Sequence, residues 1–214
     1  MKINIITKKI VEVRFKTQLE LTKTFLRFQE YYESPNERFR GKAFTLGEYR
    51  EWYAKENGAF TYYTDWSGMN IPYWVLLPFV YGKFDPLTPE ERMLVDLFKD
   101  RINLINLIHI EPFCIIGTHE DSVDSLTHEI YHGLYYTNSD FKKEVNALLD
   151  DYDLQNLKAW LMKQGYCSKV LFDECQAYVG ADWKWLMDEK GIKTPHSLHI
   201  KLRSLFEKHM KEKA

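Results

Sequence analysis

Two histidines four residues apart, with a glutamate directly after the first, make the stretch of this chain best equipped for chemistry: His128-Glu129-Ile130-Tyr131-His132. In a helix of 3.6 residues per turn, the two imidazoles lie ~40° apart around the axis and ~6 Å apart along it. Both can then reach one metal ion. Glu129 projects to the side, placed to take a proton from a water without ligating the metal. Catalytic zinc usually takes three protein ligands and keeps one position for water. A third donor must therefore come from elsewhere in the chain.

One extension of this motif needs a glycine three residues after the second histidine and a third histidine three further on. Those positions are Tyr135 and Asn138, so that class is excluded, and the inverted order His-x-x-Glu-His is absent. A carboxylate from a later helix is the remaining common solution. Glu174 is the leading candidate. It stands mid-helix among Leu171, Phe172, Ala177 and Val179, where a bare carboxylate is costly unless paired or coordinated. Asp173 is its nearest rival, followed by Asp150 and Asp151. Ala177 and Ala181 are small enough to let helices approach closely, and Gly133 does the same beside His132. Cys175 is either a soft ligand or, more ordinarily, a small buried hydrophobe. Asp124, four residues before His128, either orients that ring or favours the helix N-terminus as an acid. His119-Glu120-Asp121 reads as a polar loop ahead of the motif helix rather than a second metal site.

On these residues the chain resembles the gluzincin metallopeptidases, over roughly residues 113–187. In that group the third ligand is a Glu on a helix after the motif helix, which implies Glu174 here. The Asn-Glu-x-x-Ser-Asp signature is not present, and 41 residues separate His132 from Glu174. The resemblance implies Zn2+ as cofactor, Glu129 as general base and a peptide or protein substrate. It also implies a Tyr or His that stabilises the developing oxyanion. Tyr178 is carried forward in that role, with Tyr166, His196 and His199 as the other candidates. Peptidases of this type hold substrate as a strand added along a sheet edge. Phe113–Gly117 is the candidate edge, although its plainer reading is a core strand. Two other functions stay open: a catalytically inactive zincin-fold protein acting in interaction or regulation, and a zinc hydrolase for a non-peptide amide or ester.

The elements that must position these residues follow from patterning. Val11, Val13 and Phe15 alternate with Glu12 and Arg14, which predicts a strand over 9–15 with one buried face. A helix over 18–33 carries Leu19, Thr22, Phe25 and Leu26 inward, and 36–44 reads as an exposed basic loop. Thr45 with Glu48 forms a capping box, with Phe44 and Tyr49 as a hydrophobic staple, for a helix to about Lys55. A β-hairpin is expected from 60–64, a turn at 65–68 and the apolar run 73–81. Thr88, Pro89 and Glu91 open another helix. Residues 102–110 are ambiguous between helix tail and strand. Phe113–Ile116 then reads as a short buried strand. Helices follow, from near Ser122 to Asn138, over 140–151, 154–163, 168–187 and 197–210. The expectation is an α+β fold: a small mixed or antiparallel sheet, a zincin-like motif helix and a helical C-terminal half. It is expected as a single zincin-like domain of 1–214, with an N-terminal part of 1–112 and a metal-site part of 113–214.

Composition narrows the partners. The formal net charge of −2 offers no basic field for nucleic acid or acidic membrane. The aromatic-rich zone 49–81 is read as core rather than a base-stacking surface. Three cysteines without Cys-x-x-Cys spacing fit a reducing compartment. With no run of ~18 apolar residues and no cleavable leader, a soluble cytoplasmic protein is expected.

Overall fold

The structure, a computed structural model, describes residues 1–108, 112–122 and 125–211. The chain divides into two compact units, Met1–Val123 and Asp124–Ala214. The first is α+β and holds β1 (Lys2–Thr7), β2 (Ile10–Phe15), α1 (Gln18–Glu33), α2 (Leu46–Asn57), α3 (Tyr62–Asp65), β3 (Gly68–Pro72), α4 (Leu77–Val80), α5 (Pro89–Ile108) and β4 (Cys114–His119). The described part of the second is helical: α6 (Ser125–Thr137), α7 (Ser139–Asp150), α8 (Gln155–Lys163), α9 (Leu171–Ala181), α10 (Trp183–Asp188) and α11 (His196–Lys211).

The sheet is mixed, with strand order β1-β2-β4-β3. β2 runs parallel to β4, and the outer pairs are antiparallel. β4 is thus a central strand, bonded on both sides, and all its residues are buried. The reading of Phe113–Gly117 as a substrate-binding edge is overturned. The unbroken apolar run Phe113-Cys114-Ile115-Ile116 has no polar face to turn to water, which is the pattern of a strand covered on both faces. The same holds for β2, where a single buried face was expected. Glu12 is as buried as its apolar neighbours and is satisfied by Asn4 Nδ2, Arg14 Nε and the Thr118 hydroxyl. Helix α1 presses directly on β4: a Cβ added at Gly117 would lie 2.6 Å from a Leu21 methyl.

Helix α1 has the predicted bounds, and Thr22, Phe25 and Leu26 face inward as expected, with Leu19 the exception. Leu19 is exposed, while Leu21, Phe25, Leu26 and Phe28 are buried. Residue 39 likewise departs from the exposed-loop reading of 36–44, since Phe39 is buried against Phe44, Tyr49 and Trp52. The capping boxes form as expected. Thr45 N–H donates to Glu48 at 2.7 Å and Glu48 N–H to Thr45 Oγ1 at 3.2 Å. Thr88 and Glu91 repeat the pattern at 2.8 and 3.2 Å. Residues 102–108 belong to α5, and 109–111 lie outside the described residues.

The expected hairpin does not form. Tyr62–Asp65 is a helical turn, Gly68–Pro72 is the strand that pairs with β4, and Tyr73–Val80 coils into a 3-10 turn and α4. Aromatic packing decides this. Phe60 meets both Tyr62 and Tyr63, and Tyr62 is buried against Tyr49 and Tyr53. A strand would send Tyr62 and Tyr63 to opposite faces.

The second unit departs from the sequence reading in one place that matters for the site. The single helix expected over 168–187 is two helices, α9 and α10, joined at Asp182, whose φ −111 and ψ 20 leave the helical region. Helix α9 packs against α6, α7, α8, α10 and α11, and so forms the centre of this unit. Among the described residues, no helix is long and apolar enough to cross a membrane.

Glu30 on α1 is buried, and burial raises its carboxyl to about 6 against the lowering effect of the Ser34, Tyr49 and Tyr62 hydroxyls. The folded state therefore prefers the protonated acid. Its contribution is fully present below the unfolded value near 4.5 and is lost as pH rises through 6. Glu30→Gln should raise stability at pH 7 by about 2 kcal/mol and flatten the pH dependence of urea midpoints between those values. Equal midpoints for both proteins at pH 4 and at pH 7 would contradict this.

Candidate metal centre

Helix α6 begins its described part at Ser125 and carries His128, Glu129 and His132. Glu129 and His132 are buried and His128 is nearly so. Asp124 lies outside the described residues. The helix lies tight against α9: a Cβ at Gly180 would sit 2.3 Å from the Tyr131 ring. Gly180 marks this close approach in addition to the small Ala177 expected there, which is fully buried.

The close packing brings Glu174 of α9 to the two histidines. One donor atom from each of His128, His132 and Glu174 lies within 4.8 Å of the others. His128 Nε2 and His132 Nε2 face each other at 3.1 Å, and Glu174 Oε1 lies 3.8 Å from His132 Nε2. The opposite nitrogen of each ring is held by a carboxylate. Asp182 Oδ2 meets His128 Nδ1 at 2.6 Å, and Asp173 Oδ1 meets His132 Nδ1 at 2.7 Å. Each carboxylate draws a proton to Nδ1, which fixes the tautomer and leaves the Nε2 lone pair inward.

This donor set fits zinc. Nitrogens bound tetrahedrally at ~2.0–2.1 Å stand about 3.3 Å apart, close to the separation of the two Nε2 atoms. Two imidazole nitrogens and a carboxylate oxygen are also a usual donor combination for that ion. Burial alone would pull the His132 pKa down, but Asp173, Glu174 and Glu129 together hold it well above the ordinary histidine value. A cation is thus favoured at this spot, and metal uptake must displace a proton, so affinity rises with pH.

The other predicted residues fall around this centre or away from it. Glu129 is close enough for its charge to act on both His132 and Tyr178. The Tyr178 ring stands edge-on to His128 at 4.7 Å, and its hydroxyl meets that of Tyr166 at 3.2 Å. Burial, followed by the nearby Glu174 charge, pushes the Tyr178 phenol well up, so it keeps its proton. His199 stacks on Trp183 and His196 packs tilted against it, and His199 Nδ1 bonds the Val179 carbonyl at 2.8 Å. Asp150 and Asp151 are exposed at the end of α7 and lie outside the cluster. Asp173 stands on the far side of His132 from the facing nitrogens. Cys175 is buried and its thiol is pushed up to about 12, first by burial, which makes it a hydrophobe rather than a soft donor. In the first unit, His119 N–H and carbonyl both bond the Ser122 hydroxyl, a local turn.

No family model, no curated protein and no solved structure matches this chain.

Asp182 escaped the sequence reading. Its one signal is a turn-favouring acid directly after Gly180-Ala181, inside a stretch that otherwise scans as continuous helix. Replacing Asp182 or Asp173 by Ala should weaken zinc binding roughly 10–100-fold each, read by competition with a chromogenic chelator. Asp150→Ala and Asp151→Ala should leave affinity unchanged. Unaltered affinity in both of the first two variants would remove the clamp.

Proposed function

We propose that the chain is a zinc-dependent hydrolase of the zincin type, a metallopeptidase acting on peptide or protein substrates in the cytoplasm. The facing Nε2 atoms of His128 and His132, with Glu174 beside them and Glu129 next in line, are the observation that carries this reading. His128, His132 and Glu174 would hold the metal. When bound, zinc supplies Lewis acidity, acidifying a water and polarising a carbonyl.

The remaining chemistry belongs to the chain. Glu129, excluded from the donor set, accepts the proton of the attacking water and returns it to the leaving amine. Its burial removes competing solvent and strengthens its action on a nearby proton. Tyr178, kept protonated, is the donor for the carbonyl oxygen as that atom gains negative charge. Asp182 and Asp173 hold the imidazoles in one orientation throughout, so no reorganisation is needed as charge moves. The cytoplasmic assignment is supported by the cysteine content, three in 214 residues without Cys-x-x-Cys spacing.

Glu129→Gln separates binding from turnover. The variant should retain one zinc per chain by elemental analysis and lose peptide hydrolysis by a factor of at least ~10², measured on a mixed peptide library with liquid chromatography and mass spectrometry. Wild-type protein purified without zinc, and unable to take it up, would sink the metal reading. Zinc present with no cleavage of any peptide would favour the non-catalytic zincin instead.

A further inference from the structure

A cavity of about 370 Å³ lies in the second unit, outside the metal centre. One face of α8 supplies Asn156, Trp160 and Lys163, and the loop after α10 supplies Gly191, Ile192 and Lys193. The two lysines put positive charge at its rim. Among the described residues, neither makes a side-chain hydrogen bond or ion pair. Trp160 and Ile192 are half-buried and give the cavity an apolar wall. A site with an apolar wall and two uncompensated ammonium groups suits a carboxylate on a short hydrocarbon stem: the stem covers the indole and the charge meets the lysines.

The cavity also has a physical link to the metal centre. Trp160 packs edge-on against Tyr178 at 5.5 Å, and Tyr178 packs on His128 at 4.7 Å. Two ring contacts therefore separate the cavity wall from a metal-holding imidazole. The Trp160 and His128 rings are thus no more than about 10 Å apart, the length of about three extended residues. We propose that this cavity is a subsite for a carboxylate-bearing group of the substrate, which directs the enzyme toward peptides that present a carboxylate at that distance from the cleaved bond. The proposal rests on the hydrolase reading for its catalytic meaning, but the binding itself does not need the metal. The carboxylate belongs to a Glu or Asp side chain or to a chain terminus, and the two sources are separable.

The test uses full-length, metal-free, 15N-labelled protein, with the Trp160 indole resonance assigned by its loss in Trp160→Phe. Three probes are titrated: acetyl-Gly-Glu-Gly-amide, acetyl-Gly-Gln-Gly-amide, and acetyl-Gly-Gly-Gly with a free terminus. The Glu peptide should shift the Trp160 resonance and bind about tenfold tighter than the Gln peptide. The double variant Lys163→Gln/Lys193→Gln, altered only at exposed positions, should lose that preference. Binding by the free-terminus probe and not the Glu probe would assign the cavity to a chain end. Equal binding of Glu and Gln peptides, or no shift with any probe, would overturn the proposal. The zinc-loaded protein then separates the two ideas. Library cleavage enriched neither in acidic residues nor at sites near a chain terminus overturns the subsite and leaves the hydrolase standing. Absence of cleavage removes the peptidase and leaves the binding result to judge the cavity.

Discussion

Two imidazole nitrogens that face each other at 3.1 Å with both lone pairs bare repel one another. The arrangement is stable only with a proton or a cation between them. His128 and His132 cannot relieve the contact by rotating, because Asp182 and Asp173 hold the far nitrogen of each ring. Much of the second unit serves this constraint. Helix α9 carries Asp173 and Glu174 and ends at Asp182, so one short element supplies both clamps and the third member of the cluster. The close contact of Gly180 with Tyr131 sets α9 at the depth this requires.

Buried charge recurs in the first unit with a different purpose. Arg27 and Glu91 form an ion pair with both side chains almost fully buried. Removing such groups from water is costly, and the cost is offset only when every donor is used. Arg27 meets that condition by also donating to the carbonyls of Phe44, Phe84 and Pro86 at 3.4, 3.1 and 3.3 Å, while its guanidinium lies near the Phe84 ring. Glu91 is at the same time the closing residue of the α5 capping box. One ion pair therefore ties α1, the start of α5 and the loop before it. Glu30 is the contrasting case, a buried acid that the fold keeps nearer to its neutral form.

The elements with local causes were legible. Capping boxes at Thr45 and Thr88 specify their own boundaries through hydrogen bonds within a few residues, and the alternation of 11–15 marks a strand before its partners are known. The errors fall where distant partners decide. Residues 60–64 have strand-like composition, yet three aromatic rings converge on one another and on α2, and a helical turn results. Leu19 has the right apolar character for the inner face of α1 but lies outside the stripe that meets the sheet. The N-terminal strand β1 was not anticipated, because six residues at a sheet edge carry little periodic signal before β2 is present to pair with them.

By itself the sequence determined the spacing that turns two histidines to one side of a helix, the sideways placement of Glu129 next to them, and the α+β class. These depend on helical pitch and local patterning, which hold in any fold. Only the tertiary structure decided which carboxylate plays which part. Asp173 and Glu174 are adjacent and chemically alike, and their roles diverge because the packing of α9 on α6 aims one at Nδ1 and the other at Nε2 of the same ring. Asp182 acquired its role through a break between two helices that no local rule required. Sequence spacing fixes directions around one axis. The distance between two helices is set by side-chain volume across their interface, and that volume is a property of the folded chain.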